Sequence, residues 1–208
     1  MRYHGVRVGG QKEEASSRAL PSLAAYGRAL PDGWRSYPAC RTSASLLASL
    51  QTAGVLEDLA GLPSELDAYL HPVPDGWIPE VVHVAVMLAL RDQRFQGPAG
   101  EDAFITWLHR LNGELMLAPS SLGPQAALHG LPALWSALHE GTDIRVIESR
   151  NGYGLVAYLF PEPLFPPLAK RWRRDAIAAY LVRAGAVQPR ITELGRVGDA
   201  THVSIHWT

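Results

Sequence analysis

The last third of the chain limits the fold most. Two β-patterns, Asp143–Arg150 and Gly154–Phe160, flank Asn151-Gly152-Tyr153, and Asn-Gly between apolar runs is a hairpin signal. A helical pattern runs from about Pro166 to Ala184 and closes at Gly185, the residue type that most readily ends a helix. Two more β-patterns, Val187–Leu194 and Ala200–Trp207, are joined by Gly195-Arg196-Val197-Gly198-Asp199. This ββαββ order predicts an α+β fold: a four-stranded, mostly antiparallel sheet with one long helix crossing between its hairpins. The order in which the hairpins meet stays open. An α-helical N-terminal half packs on the sheet. We divide the chain into an irregular N-terminal arm, residues 1–30, and one domain, 31–208, with a helical part over 42–140 and the ββαββ part over 141–208.

Before the sheet, Arg2–Val8 reads as a short strand, and a helical pattern over Ala15–Leu30 is interrupted by Pro21 and Gly27. Thr42 or Ser43 caps a helix to about Gln51, Val55–Ala60 reads as a second helical piece, and Pro63 opens a helix that stops near Leu70. Pro79 opens a helix to about Phe95 that is apolar all round over Val81–Leu90, so it is buried on most sides. From Glu101 to about Leu117, Phe104, Trp107, Leu108, Leu111 and Leu115 recur at helical spacing. Pro119–Pro124 reads as a loop, and Pro132 starts a helix ending at Gly141. In the last strand Val203, Ile205 and Trp207 share the face that packs on a helix. His202, Ser204 and His206 share the other, which is solvent or a pocket floor. Both faces of Gly154–Phe160 are apolar, as in an interior strand covered on both sides.

Composition excludes several function classes. At 47% apolar and 19% charged residues, the chain is globular. A formal net charge of −1 supplies no basic footprint for nucleic acid. The single cysteine, Cys40, excludes an internal disulfide and any multi-cysteine metal site. No signal-peptide pattern stands at the N-terminus, and the longest apolar run is far shorter than a membrane span. A cytoplasmic protein with no membrane partner is expected. Neither a nucleophile elbow, a phosphate-binding glycine loop nor a dinucleotide fingerprint occurs, so no catalytic residue is assigned and the reading leans away from an enzyme.

Two groups of residues could carry binding. The first is His83, Met87, Trp107, Trp135 and Tyr158, set on apolar elements that could line a pocket. An imidazole on a buried helix must be hydrogen-bonded or bound to something. His83 has Glu80 almost a turn before it and Met87 a turn after, on the same side; it is either a pocket residue or a satisfied core histidine. The second group is Arg171, Trp172 and Arg174, within a run of basic residues near the start of a helix, where positive charge opposes the macrodipole. It is either an anion or partner site, with Trp172 as a stacking plate, or a solvated face. No metal site is expected. No pair of histidines lies one turn apart on a helix, and His202 and His206 stand about 13 Å apart along a strand.

The segments Leu30–Cys40 (LPDGWRSYPAC), Ala44–Leu47 (ASLL), Trp77–Val81 (WIPEV), Ala184-Gly185-Ala186 and Ile205-His206-Trp207 resemble a large paralogous family of uncharacterised myxobacterial proteins of this length. Over about 131–208 the chain is similar in topology to vinyl-reductase-type and haem-NO-binding-associated sensory modules. This resemblance implies helices packed on an antiparallel sheet around a small-molecule cavity. It transfers no cofactor, because the chain has neither clustered cysteines nor a Tyr-x-Ser-x-Arg haem-propionate signature; the cofactor is left unknown. The expected function is a non-catalytic ligand-binding or sensory module with a small apolar ligand. The alternative is an interaction adaptor that binds a protein partner or a second copy of itself.

Overall fold

The computed structural model describes residues 20–208 other than 53, 58, 72, 74 and 112–122. The strand expected at Arg2–Val8, the start of the helix expected from Ala15 and the end of the helix expected to reach Leu117 lie outside those residues.

Helix α1 spans Pro21–Ala29 and buries Leu23 and Tyr26. Pro21 starts this helix rather than breaking it, since the first turn has no use for the missing N–H. Strand β1 is Arg41–Ser43 and α2 is Ser45–Thr52. The Ser43 hydroxyl accepts from the Ser45 N–H at 3.3 Å, while Thr42 belongs to the strand. Val55–Ala60 forms no helix among its described residues, and the segment after Pro63 is a six-residue 3₁₀ turn, Ser64–Tyr69. Both stretches are short and depend on packing. Strand β2 is Trp77–Pro79, and α3 follows directly over Glu80–Arg94.

All residues of α3 from Glu80 to Leu90 are buried. Asp92 is buried too: its Oδ2 accepts from the Ser22 N–H at 2.7 Å and the Leu23 N–H at 3.3 Å, capping the start of α1 with a negative charge. Helix α4 is Gly100–Leu111. Helix α5 is Gly123–Leu138 with Pro132 inside it. Its first turn therefore starts within the expected loop Pro119–Pro124, and packing on the sheet holds the helix past a proline that removes one backbone hydrogen bond. The chain then passes into β3, His139–Glu140, where helix had been expected.

Strands β1, β2 and β3 form a small sheet in the order β2-β1-β3, which the sequence reading did not foresee. It brings the start of α3 and the end of α5 together: Arg41 pairs with Pro79 on one side and Glu140 on the other.

The α+β expectation agrees with the structure. Strands β4 (Asp143–Arg150) and β5 (Tyr153–Leu159), helix α6 (Pro167–Arg183), and strands β6 (Arg190–Val197) and β7 (Ala200–His206) make up the ββαββ unit. The sheet order is β4-β5-β7-β6 and every neighbouring pair is antiparallel. Strand β6 lies three residues later than expected at each end, so the final turn shortens to Gly198-Asp199. Both edge strands carry a register shift, at Val146/Glu148 and Glu193/Gly195, a device that discourages edge-to-edge pairing.

Gly154, Val156 and Tyr158 on β5 face the helices, in register with Ile205, Val203 and Thr201 on β7. Helix α5 comes so close that a Cβ on Gly154 would sit 2.4 Å from Leu128. On the other face of the sheet Ala157 is buried but Leu155 and Leu159 are only half-buried, so β5 is covered less completely on that side. One contiguous buried cluster runs from Leu20 to Trp207.

Candidate functional site

Because Pro79 ends β2 and admits α3 at once, Glu80 falls in the first helical turn, beneath the small sheet. Its side chain is fully buried. A buried carboxylate persists only when its charge and lone pairs are matched. Three side chains do this. His83 Nδ1 lies 3.3 Å from Oε1, His139 Nδ1 lies 2.8 Å from Oε2, and Arg173 Nη2 donates to Oε1 at 2.5 Å. Burial alone would raise the Glu80 carboxyl, but the adjacent His139 ring and Arg173 guanidinium, with the imidazole hydrogen bonds, hold it well below the usual carboxylate range.

An ionised carboxylate can only accept, so both imidazoles present Nδ1–H to it and each keeps Nε2 as its remaining hydrogen-bonding position. Burial pushes His83 below the ordinary histidine value, against the opposing pull of Glu80. His139 stacks on Trp135 at 4.1 Å between ring centroids, and Thr42 Oγ1 lies 3.3 Å from its Nδ1. The Arg173 guanidinium lies 3.7 Å over the Phe165 ring. Its Nε and Nη1 are buried with no partner among the described residues.

Beside this cluster is a cavity of about 120 Å³ between α2, α3, α4, α5 and α6. Its apolar wall includes Leu46, Met87, Leu131, Leu134, Trp135 and Ile177. His83, His139 and Arg173 reach it from the Glu80 cluster, and His109, whose buried Nε2 lacks a described partner, reaches it from α4. A second cavity of about 20 Å³ lies on the other side of Arg173, next to Tyr158, whose buried hydroxyl also lacks a described partner. That volume suits little more than one water.

Of the residues singled out in the sequence, the large cavity brings together His83, Met87, Trp135 and Trp172. Tyr158 meets Trp135 edge to face at 6.0 Å but borders the smaller cavity. Trp107 does not line the cavity; it stacks on Phe104 and meets Phe95 at a tilt. Trp172 is buried against Phe104, which removes it as an exposed stacking plate. Arg171 pairs with Glu101 and Asp102 on α4, and Arg174 with Glu193 on β6. Burial and the nearby Glu80 charge push the Cys40 thiol up to about 11, so it stays protonated.

The sequence reading placed Glu80 beside His83 but missed Glu80 as the centre of a cluster, and missed His139 and Arg173 as its partners. Helical spacing revealed only the local pair. The other two partners lie 59 and 93 residues away.

Among the described residues no group of histidine, cysteine and acidic side chains is arranged to hold a metal ion, and no helix is long and apolar enough to cross a membrane. No protein-family model matches the chain, and no curated protein matches it. The myxobacterial resemblance therefore gains no support from either comparison. Among solved structures the chain is similar to a mutant H-NOX protein from K. algicida, crystallised in its unliganded Fe(II) form. The identity is 8% and the TM-score 0.48, over 80% of this chain and 96% of the other. At those values the likeness is a loose one of fold.

Proposed function

We propose that this protein is a non-catalytic small-molecule-binding or sensory module whose ligand occupies the cavity between the helices. One observation carries this reading: an apolar cavity of about 120 Å³ with a buried, ordered polar cluster at one wall. An apolar cavity of about 150 Å³ can hold a benzene-sized molecule. The mixture of apolar lining and a few fixed polar groups is the usual make-up of a ligand pocket. Its ligand has a compact apolar body and a polar end directed at His83, His139 and Arg173.

Native mass spectrometry of protein purified from its own host, with an ultraviolet–visible spectrum of the same sample, tests this. Excess mass that is lost on denaturation is the expected result. A bare monomer would count against it, and a bare oligomer or a co-purifying protein would favour the adaptor reading.

A further inference from the structure

Two imidazoles on the cavity wall are held in one tautomer from behind. His83 and His139 each turn Nδ1 to Glu80, which accepts at 3.3 Å and 2.8 Å. A neutral ring whose Nδ1 carries the proton has a bare lone pair at Nε2. Both rings line the large cavity, whereas Glu80 stands behind them and does not reach it. Among the described residues nothing donates to either Nε2. Neither atom is sealed in protein, as Nε and Nη1 of Arg173 are. The wall therefore offers two acceptors that lack a described donor. Arg173 already balances the Glu80 charge. Burial holds His83 below the ordinary histidine value, so its Nε2 is unprotonated near neutral pH.

From this wall we infer that the ligand is an uncharged hydrogen-bond donor on a compact apolar body, a phenol or an alcohol, whose O–H donates to Nε2 of His83 or His139. The inference rests on the binding role proposed above and adds the chemistry of the ligand's polar end. Three other ligand classes fit less well. A carboxylate brings no proton at neutral pH and would set its lone pairs against those of the imidazoles. An ammonium donates, but it would carry a charge into an apolar cavity whose described wall has no aspartate or glutamate. A hydrocarbon would shut both Nε2 lone pairs off from water and give them no donor in return.

The test is calorimetric titration of the full chain, washed free of small molecules, with two matched sets: phenol, anisole, toluene and benzoate, then cyclohexanol and cyclohexanone. Each set holds the apolar body nearly constant, and only the hydroxyl compound donates. Phenol should bind about tenfold or more tightly than anisole or toluene, and cyclohexanol than cyclohexanone, because each supplies one hydrogen bond to a buried acceptor. Benzoate should bind most weakly. A cavity without an acceptor gives the opposite order, since an unpartnered hydroxyl costs more to desolvate than a methyl group. The site itself is read in the unmodified protein by nitrogen NMR after ¹⁵N-histidine labelling. The Nε2 resonance of His83 or His139 should move upfield with phenol and not with toluene.

Toluene or anisole binding as tightly as phenol, or cyclohexanone as tightly as cyclohexanol, would overturn the inference and leave the binding role standing. So would benzoate binding more tightly than phenol. A phenol preference with no upfield shift at either Nε2 would place the hydroxyl away from the imidazoles and overturn it too. If no compound of either set binds, the inference and the binding role fall together.

Discussion

Glu80 has the most consequences of any single residue. It is fully buried and holds two imidazoles and a guanidinium, so removing it strands a charged Arg173 in the core. Glu80→Ala should lower the unfolding free energy by about 3–5 kcal/mol, measured by urea denaturation. The paired Glu80→Gln/Arg173→Met variant should lose clearly less than the sum of its single changes, because the pair leaves no uncompensated charge. His83 gives a pH signature. Its folded value lies below the 6.5 of a free histidine. Between those two values the unfolded chain binds a proton that the folded chain does not, so stability falls as the solution is acidified through that window. His109, also lowered by burial, acts in the same direction. The stabilisation from Glu80 is separate: it is present above 4.5 and fades only as the pH falls towards its depressed folded value. His83→Gln should therefore flatten the dependence of stability on pH just below 6.5, by at most about 1.4 kcal/mol per pH unit, measured by urea denaturation at a series of pH values. At this scale the sequence showed His83, Met87 and Trp135. It could not show that the ring of His83 answers to a carboxylate that also holds a residue of α6.

At the scale of elements, length and internal prolines decide what can be read: α5, with Pro132 inside it, is recognised only from that proline onward. Helices α3 and α6 and the four long strands carry enough periodic residues to be recognised, whereas β1, β2 and β3 have three, three and two residues. No alternation can be seen in so few positions. These strands exist because tertiary packing brings the end of α5 against the entrance to α3. The small sheet also fixes Gly141, which has a φ of +70° and whose Cβ would lie 2.1 Å from the Ala39 carbonyl oxygen. Gly141→Ala meets both backbone strain and a backbone clash, and should cost about 2 kcal/mol or more in a denaturant titration. A different contact steadies α4, which supplies Leu108 and His109 to the cavity. Arg171 ties it to α6 through Glu101 and Asp102, at half-exposed to exposed positions. Exposed pairs contribute little to global stability, so Arg171→Met should cost less than about 1 kcal/mol. It should nevertheless speed hydrogen–deuterium exchange across α4 more than across α3, because α4 loses its charged link to α6.

For the whole molecule, the buried cluster that runs from Leu20 to Trp207 joins the helical half to the sheet, and the cavity lies within the helical packing that joins them. A shared core predicts one cooperative thermal transition rather than two. A ligand in such a place stabilises the whole fold, since it binds the folded chain and has no site on the unfolded one. At a concentration one hundred times its dissociation constant, the stabilisation is about 2.7 kcal/mol. For a chain of this size that corresponds to a rise of roughly 5–10 °C in Tm. Protein unfolded, washed free of small molecules and refolded should melt lower by that amount than protein taken directly from its host. Adding back the small molecules released on unfolding should restore the difference. Scanning calorimetry separates the outcomes: a single transition that moves with ligand ties the cavity to the whole fold. Two transitions, only one of them moving, would mean that the helices and the sheet melt as separate units. A transition that washing leaves in place would mean that the protein carried no stabilising ligand from its host.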